Sequence, residues 1–305
     1  MKFQSSYLKL YRTGELKNRI KAAYALLEKC SVCPRKCGVN RLKDERGVCG
    51  IGLKPVVSSY NAHFGEEPPI SGFSGSGTIF FTRCNLKCVY CQNYPISQLG
   101  HGEEVSVEIL AEMMLSLANS KCHNINFVTP THVVPQILAA LQITVEKGLN
   151  IPLVYNSGGY ESVKMLKLLD GLIDIYMPDA KYSNDKAAIK YSDAPGYFAV
   201  NKKALLEMYR QVGDLVMDEE GVAWRGLLIR HLVLPENISG SEKVLTFIAK
   251  KISPHTYMSL MAQYHPAHRA YDYPELSRRV SLEEYTAVLK IAERLGLERG
   301  WKQML

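Results

Sequence analysis

Six times between residues 78 and 295, a short apolar run is followed by a longer stretch whose apolar residues recur at helical spacing. The runs are Thr78-Ile79-Phe80-Phe81, Asn126-Phe127-Val128, Pro152-Leu153-Val154-Tyr155, Leu172 to Met177, Leu227 to Leu234 and Tyr257 to Ala262. Each is bounded by turn-forming or polar residues and reads as a buried strand. The stretches between them read as helices over 106–120, 134–148, 160–169, 184–191 and 196–211, then one opened by Ser239 with Glu242 and a last one opened by Ser281 with Glu284. Both pairs have the spacing of a capping box, in which the hydroxyl and the carboxylate each satisfy a free backbone N–H of the first turn. Strands buried on both faces and joined through helices form a parallel sheet. Right-handed crossovers then curl such an α/β chain into a barrel or spread it into a doubly wound sheet, and the pattern alone does not choose.

Ahead of this series the chain differs. Residues 13–28 read as a helix with Thr13 as its cap and Leu16, Ile20, Ala23, Tyr24 and Leu27 on one face. From Cys30 to about residue 76 the chain is rich in Gly, Pro and Cys and reads as loop, ending in the flexible Ser71-Gly72-Phe73-Ser74-Gly75-Ser76-Gly77. The expected division is a Cys-rich extension over 1–75 and the strand–helix series over 76–305. With 305 residues and 47% hydrophobic residues, a sizeable core is expected and general disorder is excluded. The net charge of +7, from 37 basic against 30 acidic residues, is too mild to point to nucleic acid. No apolar run approaches the ~18 residues that span a bilayer; the run from Gly226 to Pro235 is broken by Arg230 and His231. The first residues lack the apolar stretch of a secretion signal. The expectation is a cytoplasmic chain with no membrane segment, whose thiols stay reduced.

Eight cysteines stand at 30, 33, 37, 49, 84, 88, 91 and 122. Three of them form C-x3-C-x2-C in Cys84-Asn85-Leu86-Lys87-Cys88-Val89-Tyr90-Cys91, directly after the first strand of the series and with an aromatic before the last Cys. Three such thiolates can hold three irons of a [4Fe–4S] cluster. No fourth Cys lies close behind, whereas complete four-iron sites use four thiolates. The open iron can then be chelated by the amino and carboxylate groups of S-adenosylmethionine. An electron passed to the sulfonium breaks a carbon–sulfur bond and gives a 5′-deoxyadenosyl radical. In such chemistry the cofactor reacts while the protein orients it and excludes water. A zinc knuckle with a remote fourth ligand is the plainer alternative; the spacing, the aromatic and the strand position favour the cluster.

These residues resemble the radical SAM superfamily, and within it the activators of glycyl radical enzymes, most nearly the PflX-type relatives of pyruvate formate-lyase activating enzyme. The resemblance runs through nearly the whole chain, including Cys30-Ser31-Val32-Cys33-Pro34-Arg35-Lys36-Cys37-Gly38-Val39-Asn40-Arg41, His63-Phe64-Gly65-Glu66-Glu67-Pro68-Pro69 and the triplet. It implies a partial (β/α)6 barrel, with its active site at the C-terminal ends of the strands. It also implies cofactor contacts. Asn93, after the triplet, matches an Asn beside the cluster. Asp179 and Lys181, ending the fourth strand, match a D-x-K pair near S-adenosylmethionine. Arg230, in the fifth strand, and His265, ending the sixth, match cofactor-contacting positions. The chemistry suits them, since Lys or Arg pairs with a carboxylate and Asp accepts from ribose or amino groups. Asn156, ending the third strand, is a further candidate. One departure stands out: the second strand ends Phe127-Val128-Thr129-Pro130-Thr131-His132, where the family carries a Gly-Gly-Glu-like motif for the amino group. Thr129 and Thr131 are left to supply hydroxyls or carbonyls there.

Cys30, Cys33, Cys37 and Cys49 look like a second complete metal site, either a further [4Fe–4S] cluster or structural zinc. A Gly- and Pro-rich segment benefits from such a site, because metal binding contributes folding free energy. Cys122 reads as a buried small hydrophobe, and His268 as an ordinary polar residue despite its spacing from His265. The expected function is reductive cleavage of S-adenosylmethionine and hydrogen abstraction from a substrate. If the resemblance extends to the substrate, that is a glycine Cα–H in a partner glycyl radical enzyme. The alternatives are a radical SAM enzyme acting on a small molecule or another peptide, and a non-catalytic iron–sulfur or zinc protein. The chemistry calls for an electron donor of the flavodoxin or ferredoxin type.

Overall fold

The computed structural model describes residues 4–303. The chain opens with α1 (Tyr7–Arg12) and α2 (Glu15–Glu28), followed by β1 (Val56–His63) and the short α3 (Pro68–Ser71). β2 (Ser76–Phe81), α4 (Tyr94–Ser97), β3 (Glu103–Glu104) and α5 (Val107–Asn119) come next, and then β4 (Ile125–Val128), α6 (Val134–Glu146), β5 (Leu153–Ser157) and α7 (Val163–Leu168). The second half runs through β6 (Ile175–Pro178), α8 (Asp185–Ser192), α9 (Tyr197–Val212), β7 (Val216–Met217) and β8 (Ala223–Leu232). It ends with α10 (Ser241–Lys251), β9 (Tyr257–Met261), α11 (Leu282–Arg294) and β10 (Gly300–Lys302).

The sheet order is β10-β9-β8-β6-β5-β4-β2-β1-β3, with β7 paired to β8. The strands expected from the sequence, β2, β4, β5, β6, β8 and β9, are parallel neighbours in chain order. The edge strands β3 and β10 do not pair with each other. One side chain shows that this open sheet is curled. Glu66 bonds Asn126 on β4 and also reaches Arg230 on β8, three strands away. In a flat sheet those strands stand about 14 Å apart. The architecture is therefore the partial α/β barrel rather than a doubly wound sheet.

Alternation along the strands separates two packed faces. Phe127, Tyr155, Tyr176, Ile229 and Leu260 face outward into a large core shared with the crossover helices, and Leu16 and Leu27 of α2 join it. Val154, Ile175, Met177, Leu228 and Tyr257 face inward, where Ile70 of α3 packs among them. The amide of Asn124, just before β4, bonds the Ile70 carbonyl at 2.8 Å. The α3 segment thus closes the barrel at the N-terminal ends of its strands.

Three local expectations are corrected. Thr13 does not cap α2: its hydroxyl bonds the carbonyls of Lys9 and Leu10 at 3.1 and 3.2 Å and closes α1. Gly14 opens α2 at φ 76°, a left-handed conformation open to glycine. Ser239 and Glu242 do not form a capping box either, because Gly240 starts α10 and the Ser239 hydroxyl bonds the Leu232 carbonyl. Lastly, the segment expected to be loop contains β1, which pairs antiparallel with β2.

Candidate active site

The Cys84–Cys91 loop leaves the C-terminal end of β2 and is tied down on several sides. The N–H groups of Lys87 and Val89 donate to the carbonyls of Ser192 and Tyr191 at the end of α8, at 2.9 and 2.8 Å. The Arg269 N–H donates to the Val89 carbonyl at 2.8 Å, so the loop after β9 lies over the triplet. Every sulfur has a polar neighbour. The Leu86 N–H points at Cys84 Sγ at 3.3 Å, the Ser192 hydroxyl at Cys88 Sγ at 3.0 Å, and the Ser97 hydroxyl lies 3.1 Å from Cys91 Sγ. A chain of hydroxyls, Tyr90 to Tyr182 at 2.6 Å and Tyr182 to Ser192 at 2.8 Å, leads to Cys88. Tyr90 is thus the aromatic of the motif and also anchors a sulfur's neighbour. Burial, then the neighbouring Cys88, pushes the Cys84 thiol up to about 12. Burial also raises Cys88, with Lys181 pulling the other way.

Behind the triplet lies a largely buried ionic network at the ends of β5, β6 and β8. Lys181 Nζ bonds Asp179 Oδ2 at 2.6 Å, and Arg230 Nε bonds Asp179 Oδ1 at 2.9 Å. Arg230 Nη2 bonds the Asn156 side-chain oxygen at 2.7 Å, and its Nη1 lies 3.6 Å from Glu66. Glu66 also accepts from the amides of Asn126 and Asn156 at 3.0 and 3.3 Å. Burial alone would raise the Asp179 carboxyl, but Arg230 and Lys181 outweigh it and hold the group below its ordinary range. Burial likewise opposes the charge on Lys181, and Asp179 overcomes it, so the ammonium is retained. Glu66 is raised, burial outweighing the attraction of Arg230. Four of the expected residues, Asn156, Asp179, Lys181 and Arg230, therefore form one unit within electrostatic reach of Cys88.

The other candidates sit apart from that unit. Thr129 follows β4 at φ 60°, strained for a β-branched residue, and its N–H bonds the Asn156 carbonyl at 2.9 Å. The Thr131 hydroxyl is turned to Glu161 at 2.6 Å. Glu161 also accepts from Tyr155 on the outward face of β5, so this carboxylate faces away from the barrel interior. Burial pushes it up to about 7. Asn93 is exposed at the start of α4. His265 is exposed, with Nδ1 3.2 Å from the amide of Gln92, the neighbour of Cys91. His268 stacks on Tyr94 with ring centroids 5.0 Å apart.

Sequence reasoning quoted Glu66, Asn126 and Arg35 but gave them no role, and it passed over Glu161. The available signal was a Glu-Glu pair directly before Pro-Pro, inside the stretch that reads as loop. In the structure Glu67 is also buried, and its Oε2 has no protein partner. The same holds for Asn126 Oδ1 and Ser259 Oγ, so the barrel interior keeps unpaired polar atoms.

The second cysteine group lies beside the first. Cys30, Cys33 and Cys49 are buried and Cys37 is half-buried; all eight cysteines are free thiols. The Arg35 guanidinium bonds the carbonyl of Asn85, next to Cys84, at 2.9 Å. Cys122 is buried between α5 and β4, as expected of a small hydrophobe. Among the described residues, no three His, Cys, Asp or Glu side chains converge closely enough to hold a single metal ion. The three triplet thiols, carried on one loop, are nevertheless the donor type that iron–sulfur clusters take. Hydroxyl and amide donors aimed at the sulfurs and the half-buried Lys181 beside Cys88 fit that donor set as well. Among the described residues, no helix is long and apolar enough to cross a membrane.

A family model described as the radical SAM superfamily matches residues 78–237, from β2 to the turn after β8. An uncharacterised protein of Methanocaldococcus jannaschii, MJ0674, is 32% identical over 305 residues, covering 97% of this chain and 83% of its own. A second protein of that organism, MJ0808, is 23% identical over 288 residues, covering 84% and 78%. Among solved structures, native anSMEcpe with bound AdoMet aligns with a TM-score of 0.47 at 14% identity over 70% of this chain and 57% of the other. HydG, a maturase of the [FeFe]-hydrogenase, aligns with a TM-score of 0.44 at 12% identity over 70% and 47%. The chain spans about half the length of these two solved chains.

Proposed function

Because the chain belongs to the radical SAM superfamily, we propose that it is an iron–sulfur enzyme that cleaves S-adenosylmethionine reductively and uses the product to abstract hydrogen from a substrate. Cys84, Cys88 and Cys91 would hold the [4Fe–4S] cluster. When bound, that group supplies one electron to the sulfonium of S-adenosylmethionine. The observation that carries the reading is the largely buried Asp179–Lys181–Arg230 unit beside Cys88, at the C-terminal ends of parallel strands. Lys181 and Arg230 offer charge-assisted donors to a carboxylate, and Asp179 and Asn156 offer acceptors to amino or ribose groups. The strained Thr129 and the nearby Thr131 leave backbone carbonyls at the end of β4 for the amino group. Asn93 and His265 flank the triplet from α4 and from the loop after β9. Tyr90 and Tyr264, both buried and in edge contact at 5.9 Å, keep water from the back of the loop.

An electron donor of the flavodoxin or ferredoxin type would serve this site, and the reducing cytoplasm suits eight free thiols. For the substrate, the resemblance to glycyl radical activators supports a glycine Cα–H on a partner protein. The unpaired polar atoms of Glu67, Asn126 and Ser259 inside the barrel support a small polar molecule instead, and we favour that second reading. The test is anaerobic: the protein is reconstituted with iron and sulfide, reduced, mixed with S-adenosylmethionine, and 5′-deoxyadenosine is quantified. Formation of this product, abolished in Cys88→Ala together with the barrel cluster's iron, is the expected result. A cluster-loaded protein that neither binds nor cleaves S-adenosylmethionine would leave a non-catalytic iron–sulfur protein.

A further inference from the structure

We propose that Cys30, Cys33, Cys37 and Cys49 hold a second four-iron cluster, seated against the wall of the first site. The backbone brings these four residues together from a segment with little core of its own. The Cys30 N–H bonds the Val39 carbonyl at 2.9 Å, and the Gly38 N–H bonds the Cys30 carbonyl at 3.0 Å, which folds Cys37 back beside Cys30. Gly47 packs directly on Cys37; a Cβ there would lie 2.7 Å from the Cys37 Cβ. That contact carries Cys49 into the group. Cys33 and Cys49 are both buried; the Lys36 N–H bonds the Cys33 carbonyl at 3.2 Å, turning the chain toward Cys37, and the Gly50 N–H bonds the Gly47 carbonyl at 2.9 Å, holding Cys49 in the turn that packs on Cys37.

The backbone also turns its amides toward the sulfurs. The N–H of Val48 points at Cys37 Sγ at 3.4 Å. The amides of Arg35 and Ile51 face Cys33 and Cys49. Each stands two residues after its cysteine, the same relation that Leu86 has to Cys84 in the triplet. Gly38 and Gly50, directly after Cys37 and Cys49, take left-handed φ of 73° and 74°, which makes these turns possible. N–H groups aimed at sulfur stabilise thiolates that ligate metal.

One feature favours a cluster over zinc. The group shares structure with the first site, through the Arg35–Asn85 bond at 2.9 Å and through Gly50, whose Cβ position lies 3.6 Å from the Arg83 guanidinium. Residues 83 and 85 flank Cys84, so each centre holds part of the other's wall. The inference stands on its own thiols and does not require the reading of the triplet.

The test uses the full chain, reconstituted anaerobically, with iron, acid-labile sulfide and zinc counted per chain. The wild type should hold about eight irons and the Cys84→Ala/Cys88→Ala/Cys91→Ala variant about four, with matching sulfide and no zinc. The reciprocal Cys30→Ser/Cys33→Ser variant should lose about half of the iron and keep the electron paramagnetic resonance signal that responds to S-adenosylmethionine. One zinc and no iron in the triple variant, with native circular dichroism, overturns the proposal; so does a metal-free triple variant that remains folded. If the triple variant does not fold, the reciprocal one decides, and a full iron content there overturns the proposal. A wild type holding about four irons, lost in the triple variant, overturns it as well. If those four irons are instead lost only in the reciprocal variant, the second centre stands and the triplet reading fails.

Discussion

Asp179 joins two cations in a largely buried setting, and removing its charge separates binding from cluster assembly. In Asp179→Asn, Lys181 and Arg230 lose their shared partner and the cofactor's polar groups lose an acceptor, while no sulfur is touched. Charge-assisted bonds of this kind contribute roughly 1.5–3 kcal/mol. S-adenosylmethionine should therefore bind about ten- to a hundredfold more weakly at unchanged iron content. Equilibrium binding on the reconstituted protein measures this, and unaltered affinity would remove Asp179 from the site. A second residue sets an acid limit on stability. His231 is completely buried, with Nδ1 2.6 Å from the Ala180 carbonyl and Nε2 2.9 Å from the Ser241 hydroxyl. Burial pushes it down to about 4. Between that value and the unfolded value near ~6.5, the unfolded chain takes up a proton that the folded chain refuses. Stability therefore falls as pH drops through this window, by about 3 kcal/mol at its lower end. His231→Gln should melt lower than wild type at pH 7 and show a shallower decline, so that the two curves converge toward pH 5. Parallel curves would contradict the assignment. The residues legible in the sequence, Asn156, Asp179, Lys181 and Arg230, stand where parallel strands end. Glu66 was not legible, because its partners Asn126 and Asn156 lie 60 and 90 positions away and only the curled sheet brings them to it.

Among elements, local rules succeeded where local partners settle the outcome. At α11 the Ser281 hydroxyl accepts from the Glu284 N–H at 3.2 Å, and Glu284 accepts from the Ser281 N–H at 2.8 Å. The same spacing failed at α10. There the Leu232 carbonyl, at the end of β8, takes the Ser239 hydroxyl, and Arg294 takes Glu242 at 2.6 Å. A tertiary partner displaced the cap, and nothing near Ser239 in the sequence announces it. Strand β1 was missed for a related reason. Only Val57 in it is fully buried, and Ser58, Ser59 and Asn61 read as loop residues. Its pairing with β2 rests on backbone bonds, which composition does not display. The cap at α11 yields a direct expectation: Ser281→Ala should cost about 1 kcal/mol. A lower melting temperature with unchanged iron content is the readout. Ser239→Ala lacks a cap to lose, and its cost comes from the bond to Leu232 instead.

On the scale of the whole molecule, one short segment joins the N-terminal region to the barrel chemistry. Ile70 fills the inward core between β5, β6 and β8, and the same segment carries Glu66 and Glu67 into the polar layer above it. The floor of the site and its ionic network are thus mechanically one piece. Truncating Ile70, fully buried, to Ala leaves a cavity and should cost about 2–5 kcal/mol, while Ile70→Val should cost about 1 kcal/mol. Stability alone does not reveal the connection, since any buried truncation lowers it. Leu141 on α6 is equally buried but belongs to the outward core, so Leu141→Ala should lose a similar amount of stability. The two variants should part in binding. Ile70→Ala lets Glu66 shift away from Arg230 and Asn156, which loosens the groups offered to S-adenosylmethionine, whereas Leu141→Ala leaves them in place. Weaker binding in Ile70→Ala alone, measured well below both melting transitions, is the expected outcome. Equal affinities in the two variants would show that the floor and the network are independent.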